Sequence, residues 1–359
     1  MPWYVILLII MGTILGAGAI YNQVGLRNDA DEFGIPGEIP KDGGGVHVYT
    51  VGQKASAAQP SVLLLGGWGT ASPFLDYLPL INMLRDSARV IAIERPGYGF
   101  ALNDISERTL DNMVEEMREG LNELGEFAPY VIVAHTTAGL EAIHYAALYP
   151  DEVDGIAFIN ALSPGAYFYQ PKILDYLKAF TYPIPKYTGI FRIIGLFNQE
   201  IFATGPRVDP HWYAAQYYKN VMSKGMRAEL FMLRKNATTA LLHGDLEVDS
   251  VAFVDSRQFN ESNPELVRVW GDFFGNVIET DVGSYIHGHE TDRVFREIMN
   301  LVEIGTNRIR PVPEPEYEPE EEEEPEEIED IDEDEMGEEG EETFDEGGEE
   351  EDIEENDEE

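Results

Sequence analysis

The fold of this chain is decided by residues 130–150, which read YVIVAHTTAGLEAIHYAALYP. The segment begins with β-branched and apolar residues, passes through a short turn of small residues, and continues with an alanine-rich run. This order predicts a buried strand, a tight turn and a helix. A strand that leads directly into a helix is typical of a parallel sheet flanked by helices.

The same alternation recurs on both sides of residues 130–150. The residue pattern predicts helices at 72–84, 109–124 and 291–302, and strands at 46–51, 61–66, 89–94, 154–160, 251–254 and 277–280. Strands that alternate with helices imply right-handed crossovers in one parallel sheet. The alternation stops between residues 163 and 246, where aromatic-rich segments take its place.

Composition limits the classes of protein to which the chain can belong. Its 359 residues are 43% hydrophobic, which indicates one large folded domain with appendages. The net charge of −44 argues against nucleic-acid binding, because phosphate contacts need clustered Lys and Arg. Cysteine is absent, which excludes disulfides, thiolate metal ligands and cysteine nucleophiles.

The two ends of the chain differ sharply in composition. Residues 3–20 are uncharged and mostly aliphatic, and at about 1.5 Å per residue they cover most of a hydrocarbon core of about 30 Å. We therefore predict a membrane anchor at 1–21 and a linker at 22–45. A cleaved signal peptide is the alternative, because residues 17–19 read AGA, but the basic segment of such peptides is missing.

The C-terminal segment at 311–359 contains no Lys or Arg and is dominated by Glu, Asp, Gly and Pro. Such a segment cannot bury enough apolar surface to offset its ordering entropy, so the sequence predicts a disordered acidic tail. We expect the tail to collect divalent cations weakly, because nothing in it resembles a loop that would fix a Ca²⁺ ion.

Three further phrases carry a family resemblance: GWGTASP at 67–73, ERPGYG at 94–99 and ALYPDEV at 147–153. Together with residues 130–150, they resemble the α/β-hydrolase fold family, and most closely its membrane-anchored members in Gram-positive bacteria. The resemblance implies a mostly parallel sheet flanked by helices, with a hydrolase core at 46–164 and 247–304. It also implies a helical cap inserted at 165–246.

The resemblance implies that all three positions of the family's catalytic triad are substituted. Where relatives have a nucleophile elbow that reads G-H-S-x-G, this chain has AHTTA at 134–138, which puts Thr136 at the nucleophile. The acid position in L-D-x-x-x-P holds Asn160, and the base position in G-H-Y-I-H holds Ser284. A neutral amide cannot stabilise an imidazolium as a carboxylate does, and serine cannot replace the histidine base.

Two residues are alternatives for the missing base and acid. If the alignment slips by one turn of loop, His287 supplies the base, although packing as a buried polar residue is the competing interpretation. Asp255 is the substitute acid, because the usual position one strand later holds Gln258. No His, Asp or Glu grouping has metal-ligand spacing, and we expect neither a metal nor a cofactor.

The oxyanion hole is the part of the site that can survive these substitutions. In this fold it is formed by backbone N–H groups, here near Gly67 and Trp68 and at Thr137. The cleft would then bind a small carbonyl or carboxylate ligand without hydrolysing it. The resulting hypothesis is a pseudoenzyme with a binding or scaffolding role, attached to the cell membrane by one span with its body outside.

Two other functions stay open at this point. One is a divergent hydrolase of small esters or amides that uses Thr136 with His287. The other is a surface protein in which the acidic tail is the working part and the folded domain only carries it.

Overall fold

The computed structural model describes residues 1–41, 43–103, 106–168, 173–199, 201, 209–256 and 276–308. Within these ranges, seven strands form one sheet in the order β1-β3-β2-β4-β5-β6-β7. The strands are β1 (His47–Val51), β2 (Ser61–Leu65), β3 (Val90–Glu94), β4 (Tyr130–His135), β5 (Val153–Ile159), β6 (Asp249–Asp255) and β7 (Val277–Thr280). Only β1 pairs antiparallel among them; every other pair is parallel.

Helices cover both faces of this sheet. The α-helices of the described residues are α1 (Trp3–Phe33), α2 (Pro73–Leu84), α3 (Leu110–Glu123), α4 (Ala138–Leu148), α5 (Ile173–Thr181), α6 (Pro183–Tyr187), α7 (Ile190–Gly195), α8 (Pro210–Asn220), α9 (Lys224–Leu241), α10 (Ile286–His289) and α11 (Thr291–Thr306). One hydrophobic cluster joins the sheet to α3 and α4, and a second joins it to α2 and α11. The predicted fold class, a mostly parallel sheet flanked by helices, is confirmed.

The burial of the central strands explains why their sequences are mostly apolar. Every residue of β2, β3, β4 and β5 is buried. A parallel strand covered by helices on both faces has no solvent side, so it shows no polar alternation. The side chains that follow these strands therefore collect at one edge of the sheet, where the chain leaves the core.

The segment between β5 and β6 is helical in its described part. It begins with a short 3₁₀ turn at Pro164–Phe168 and continues through α5 to α9. Trp68, in the loop after β2, donates its indole N–H to the carbonyl of Met226 at 2.8 Å and so connects this loop to α9. We call residues 165–246 the cap, as in the prediction.

The N-terminal helix differs from the prediction in its length. We expected the anchor to end at residue 21 and a linker to follow over 22–45, but α1 continues to Phe33. Its second half packs against the cap, where Asp29 pairs with Arg192 at 2.6 Å and Phe33 stacks on Trp212. These tertiary contacts override the weak helical pattern of residues 22–33. The predicted acidic tail at 311–359 lies outside the described residues.

Candidate active site

Thr136 occupies a strained turn between β4 and α4. Its φ is 49°, in the left-handed region that β-branched residues rarely adopt. The turn is held by hydrogen bonds in which Thr136 N–H donates to the carbonyl of Ile159 at 2.9 Å and Gly139 N–H donates to the carbonyl of Thr136 at 3.1 Å. The backbone geometry of an elbow is therefore present although alanines stand at 134 and 138.

The loop after β2 lies directly against this turn. A Cβ atom at Gly67 would overlap both the Thr136 hydroxyl and the carbonyl oxygen of His135. Only glycine permits such a close approach of two backbones. Gly67 and its neighbour Trp68 are thereby placed beside Thr136 and Thr137, as an oxyanion hole requires.

The Trp68 N–H is already occupied by a side chain of the same turn. It donates to the hydroxyl oxygen of Thr137 at 2.6 Å. An oxyanion hole works because its donors point at the place where negative charge develops. In this structure one of the two expected donors is instead satisfied by Thr137. The sequence analysis missed this contact, although the second threonine of AHTTA was a possible signal.

Among the described residues, no base is hydrogen-bonded to the Thr136 hydroxyl. Its Oγ1 atom is buried and has no hydrogen-bond partner in the part of the chain that the structure describes. A nucleophilic hydroxyl is activated when a base lies within hydrogen-bond reach, at about 2.6–3.2 Å. The arrangement thus keeps the position of a nucleophile without the group that would take its proton.

Asn160 and Asp255 meet at the ends of two neighbouring strands. Asn160 follows β5 with a φ of 50° and is buried, and its side-chain carbonyl accepts the backbone N–H of Asp255 at 3.3 Å. Asp255 is the last residue of β6 and is also buried. The structure therefore brings the expected acid position and its substitute together. Gln258 lies outside the described residues.

Ser284, at the expected base position, contacts the elbow strand through its backbone. Its carbonyl oxygen accepts the Nε2–H of His135 at 3.0 Å. Its side chain lies in the loop after β7 and is half-buried.

His287 is buried in α10 and makes no hydrogen bond to Thr136. Both of its ring nitrogens lack a hydrogen-bond partner, and its ring lies 4.5 Å from the ring centre of Tyr77 and 5.0 Å from that of His135. Tyr77 belongs to α2 and His135 is the last residue of β4, so His287 packs between this helix and the end of the strand that precedes Thr136. This placement agrees with a buried polar residue more closely than with the base of a slipped register.

Burial keeps both of these histidines neutral. Burial, together with the nearby His135 and His289, holds the pKa of His287 well below its usual value. Burial also lowers the pKa of His135 to about 4, and the hydrogen bond to the Ser284 carbonyl offsets only part of this effect. Neither ring is therefore an imidazolium at neutral pH.

We predict that His135 makes folding stability depend on pH between about 4 and 6.5. Its folded pKa of about 4 lies below the unfolded value of 6.5, so the unfolded chain takes up a proton first as the pH falls. From pH 7.5 to pH 5 this one group should remove about 2 kcal/mol of stability. Urea unfolding at both pH values measures the loss.

The matched control for this prediction is His135→Gln. A glutamine amide can still donate to the Ser284 carbonyl but does not titrate in this range. In this variant the free energy of unfolding should lose the part of its pH dependence that comes from His135. The rest should remain, including the contribution of His287, which also destabilises the fold as the pH falls. Identical pH dependence in the wild type and the variant would show that His135 is not a buried neutral group.

An ion-pair network that sequence reasoning missed connects the elbow helix to the cap. Arg95, in the loop after β3, contacts Glu141 of α4 at 2.6 Å and Glu229 of α9 at 3.1 Å. Tyr98 donates its hydroxyl to the same Glu229 at 2.8 Å. All these groups are buried. The charged Arg95 in the phrase ERPGYG was a signal for such a network. Its partners Glu141 and Glu229, however, are too distant in the sequence to be inferred from it.

No group of three or more His, Cys, Asp or Glu residues able to hold a metal ion occurs in the described ranges. One helix there, α1, is long and apolar enough to cross a membrane by length and composition.

Comparison with known proteins identifies the family. A protein-family sequence model described as "Alpha/beta hydrolase family" matches residues 62–313, which is more than half of the chain. The chain therefore belongs to the α/β-hydrolase family. It is 24% identical over 228 residues to the uncharacterized protein YbdG of Bacillus subtilis (strain 168), a match that spans 62% of this chain and 69% of that protein. It is also 27% identical over 140 residues to the uncharacterized protein C23C11.06c of Schizosaccharomyces pombe (strain 972), spanning 32% of this chain and 26% of that protein.

Solved structures share the fold. The haloalkane dehalogenase DbeA from Bradyrhizobium elkani USDA94 is 18% identical with a TM-score of 0.53, and the match covers 72% of this chain and 94% of that one. ALR0039, a putative alpha/beta hydrolase from Nostoc sp PCC 7120, is 14% identical with a TM-score of 0.55 and the same two coverages. At these identities the likeness concerns the fold alone.

Proposed function

We propose that this chain is a membrane-tethered α/β-hydrolase-family protein that has lost hydrolytic activity and acts by binding or scaffolding. The observation that carries the proposal is the isolated Thr136 hydroxyl. It stands at the elbow, yet its oxygen has no hydrogen-bond partner within the described ranges. Without a base to accept its proton, threonine is a weak nucleophile at neutral pH.

The residues around Thr136 support the same conclusion. Asn160 offers an amide in place of a carboxylate, and Ser284 offers a hydroxyl in place of an imidazole. The hydrogen bond from Trp68 N–H to the Thr137 hydroxyl also occupies one oxyanion donor. A small carbonyl or carboxylate ligand would have to displace that hydroxyl before it could bind there.

The cellular setting is also part of the proposal. We propose that α1 anchors the protein in the cell membrane by a single span and that the folded body lies outside the cytoplasm, as expected of membrane-anchored relatives from Gram-positive bacteria. The acidic tail is proposed to collect divalent cations weakly. Support for the anchor is the apolar composition of α1, in which the most apolar 18-residue window contains no buried residue.

A divergent hydrolase is the second candidate, and one observation favours it. Thr136 retains the positive φ of 49° that presents a side chain at an elbow. For catalysis by His287, however, that ring would have to leave its place against Tyr77 and approach the Thr136 hydroxyl. The two proposals therefore differ in whether Thr136 matters for turnover.

We expect purified wild-type protein to show no more than trace hydrolysis of short p-nitrophenyl esters, and Thr136→Ala to leave that trace unchanged. Loss of triad residues costs about 10⁴ to 10⁶ in turnover. Steady-state hydrolysis by the two detergent-solubilised proteins tests this expectation. Clear wild-type turnover that Thr136→Ala abolishes would favour the divergent hydrolase, and its loss in His287→Ala would identify the base.

A further inference from the structure

The cap carries an exposed apolar face on α6 and α7. Ile190, Ile193, Ile194 and Phe197 follow helical spacing along α7 and the turn after it, and Ile184 and Tyr187 stand three residues apart on α6. These six side chains, which we call the α6–α7 face, are between 39% and 87% exposed. An apolar cluster of this kind on a protein surface usually marks a binding surface.

The membrane helix α1 leaves the body beside this face. A Cβ atom at Gly18 of α1 would overlap the carbonyl oxygen of Thr188, which lies between α6 and α7. Further along α1, Asp29 pairs with Arg192 of α7 at 2.6 Å, and Asn22 is buried. The second half of α1 is therefore packed on the helices that carry the α6–α7 face, while the first half extends away from them.

The length of α1 sets the depth of this contact in a membrane. Its apolar window of 18 residues is about 27 Å long at about 1.5 Å per residue, close to a hydrocarbon core of about 30 Å. Gly18 falls near the end of the mostly aliphatic stretch at 3–20, and the first charged side chain after it is that of Arg27. If α1 spans the bilayer, Gly18 and Thr188 lie at its boundary, and so does the α6–α7 face.

The charge of the cap suits the same location. Residues 165–246 contain ten Lys and Arg against five Asp and Glu, in a chain whose net charge is −44. Basic residues near a membrane surface are attracted to anionic lipid headgroups. The excess belongs to the cap as a whole, because on α6 and α7 themselves Lys186 is buried and Arg192 pairs with Asp29.

We propose that the α6–α7 face inserts into the interfacial region of the bilayer next to α1, so that lipid covers it. The cap is then held against the membrane by two contacts, the span of α1 and this face. The inference rests on the proposed membrane attachment. It goes beyond that attachment because a tether alone would leave the cap free of the lipid.

Because the chain has no cysteine, single cysteines can be placed in the full-length protein and labelled with a nitroxide. Phe197→Cys probes the face, Ile10→Cys probes α1, and Phe127→Cys, at a 61% exposed site in the loop before β4, is the matched aqueous control. The labelled proteins are reconstituted into vesicles of zwitterionic and anionic phospholipid. Electron paramagnetic resonance then compares relaxation by oxygen, which concentrates in lipid, with relaxation by a water-soluble nickel chelate.

We expect oxygen to relax the labels at 10 and 197 more strongly than the nickel chelate, and the reverse at 127. If the label at 197 behaves like that at 127 while the label at 10 is in lipid, the face is not inserted but the anchor stands. A label at 10 that is accessible to nickel would overturn the anchor itself. Shielding of label 197 from both reagents, with dipolar broadening between labels, would show that a second copy of the chain covers the face instead of lipid.

Discussion

Full-length protein that carries Thr136→Ser, Thr137→Ala, Asn160→Asp and Ser284→His is expected to hydrolyse short p-nitrophenyl esters at least 10²-fold faster than the wild type, an order-of-magnitude figure. The elbow backbone, with its φ of 49° at residue 136, is already in place. A carboxylate at position 160 can still accept the backbone N–H of Asp255. Steady-state turnover at neutral pH measures the gain.

The matched control for this gain retains Thr137 and carries the other three changes. The Thr137 hydroxyl of this triple variant still accepts the Trp68 N–H, so one donor of the oxyanion hole stays occupied. Loss of one such donor costs about 10² to 10³ in turnover, and the triple variant should fall short of the quadruple variant by that factor. Single reversions should do little, because triad residues act as a unit. Equal rates of ester hydrolysis for the triple and quadruple variants would show that the Thr137 hydroxyl does not block the oxyanion hole.

Arg95→Met is expected to destabilise the protein by about 3–5 kcal/mol. The substitution removes the one cation that contacts both Glu141 and Glu229 and leaves two buried carboxylates facing each other. Breaking a buried ion pair by removing one partner costs more than the pair itself contributes, because the remaining charge is uncompensated. Urea unfolding at pH 7 in a mild detergent measures the change in the free energy of unfolding.

Arg85→Met is the matched control for that experiment. Arg85 pairs with Asp86 at 3.8 Å, and both side chains are mostly exposed. Exposed pairs contribute about 0–1 kcal/mol, so this variant should unfold almost like the wild type. A loss for Arg95→Met no larger than that for Arg85→Met would mean that the cap and the elbow helix are not joined through Arg95.

The fold was predictable because each central strand can be identified from its own short run of apolar residues. Residues 62–65 and 131–134 are continuously apolar in sequence and fully buried in the structure, as expected of parallel strands covered on both faces. The end of α1 was not predictable, because residues 22–33 are held in a helix by Arg192 and Trp212, far along the chain. Local patterns do not contain contacts of this kind.

The sequence indicates which site residues follow which strands, but it does not indicate their hydrogen bonds. The phrases around Thr136, Asn160 and Ser284 fixed which residues follow which strands, and the structure places each of them in a loop next to the core. The capture of the Trp68 N–H by Thr137 depends on a side-chain direction that spacing does not specify. The packing of His287 against Tyr77 likewise depends on how α2 and α10 meet.

The central claim is that Thr136 is not an activated nucleophile, and covalent labelling tests it most directly. Wild-type protein is incubated at neutral pH with a fluorophosphonate, which reacts with activated hydroxyl groups, and its intact mass is measured. We expect no adduct on the wild type and one adduct on the quadruple variant, where serine, a base and an open oxyanion hole are combined. A stoichiometric adduct on the wild type that maps to Thr136 and disappears in Thr136→Ala would contradict the claim.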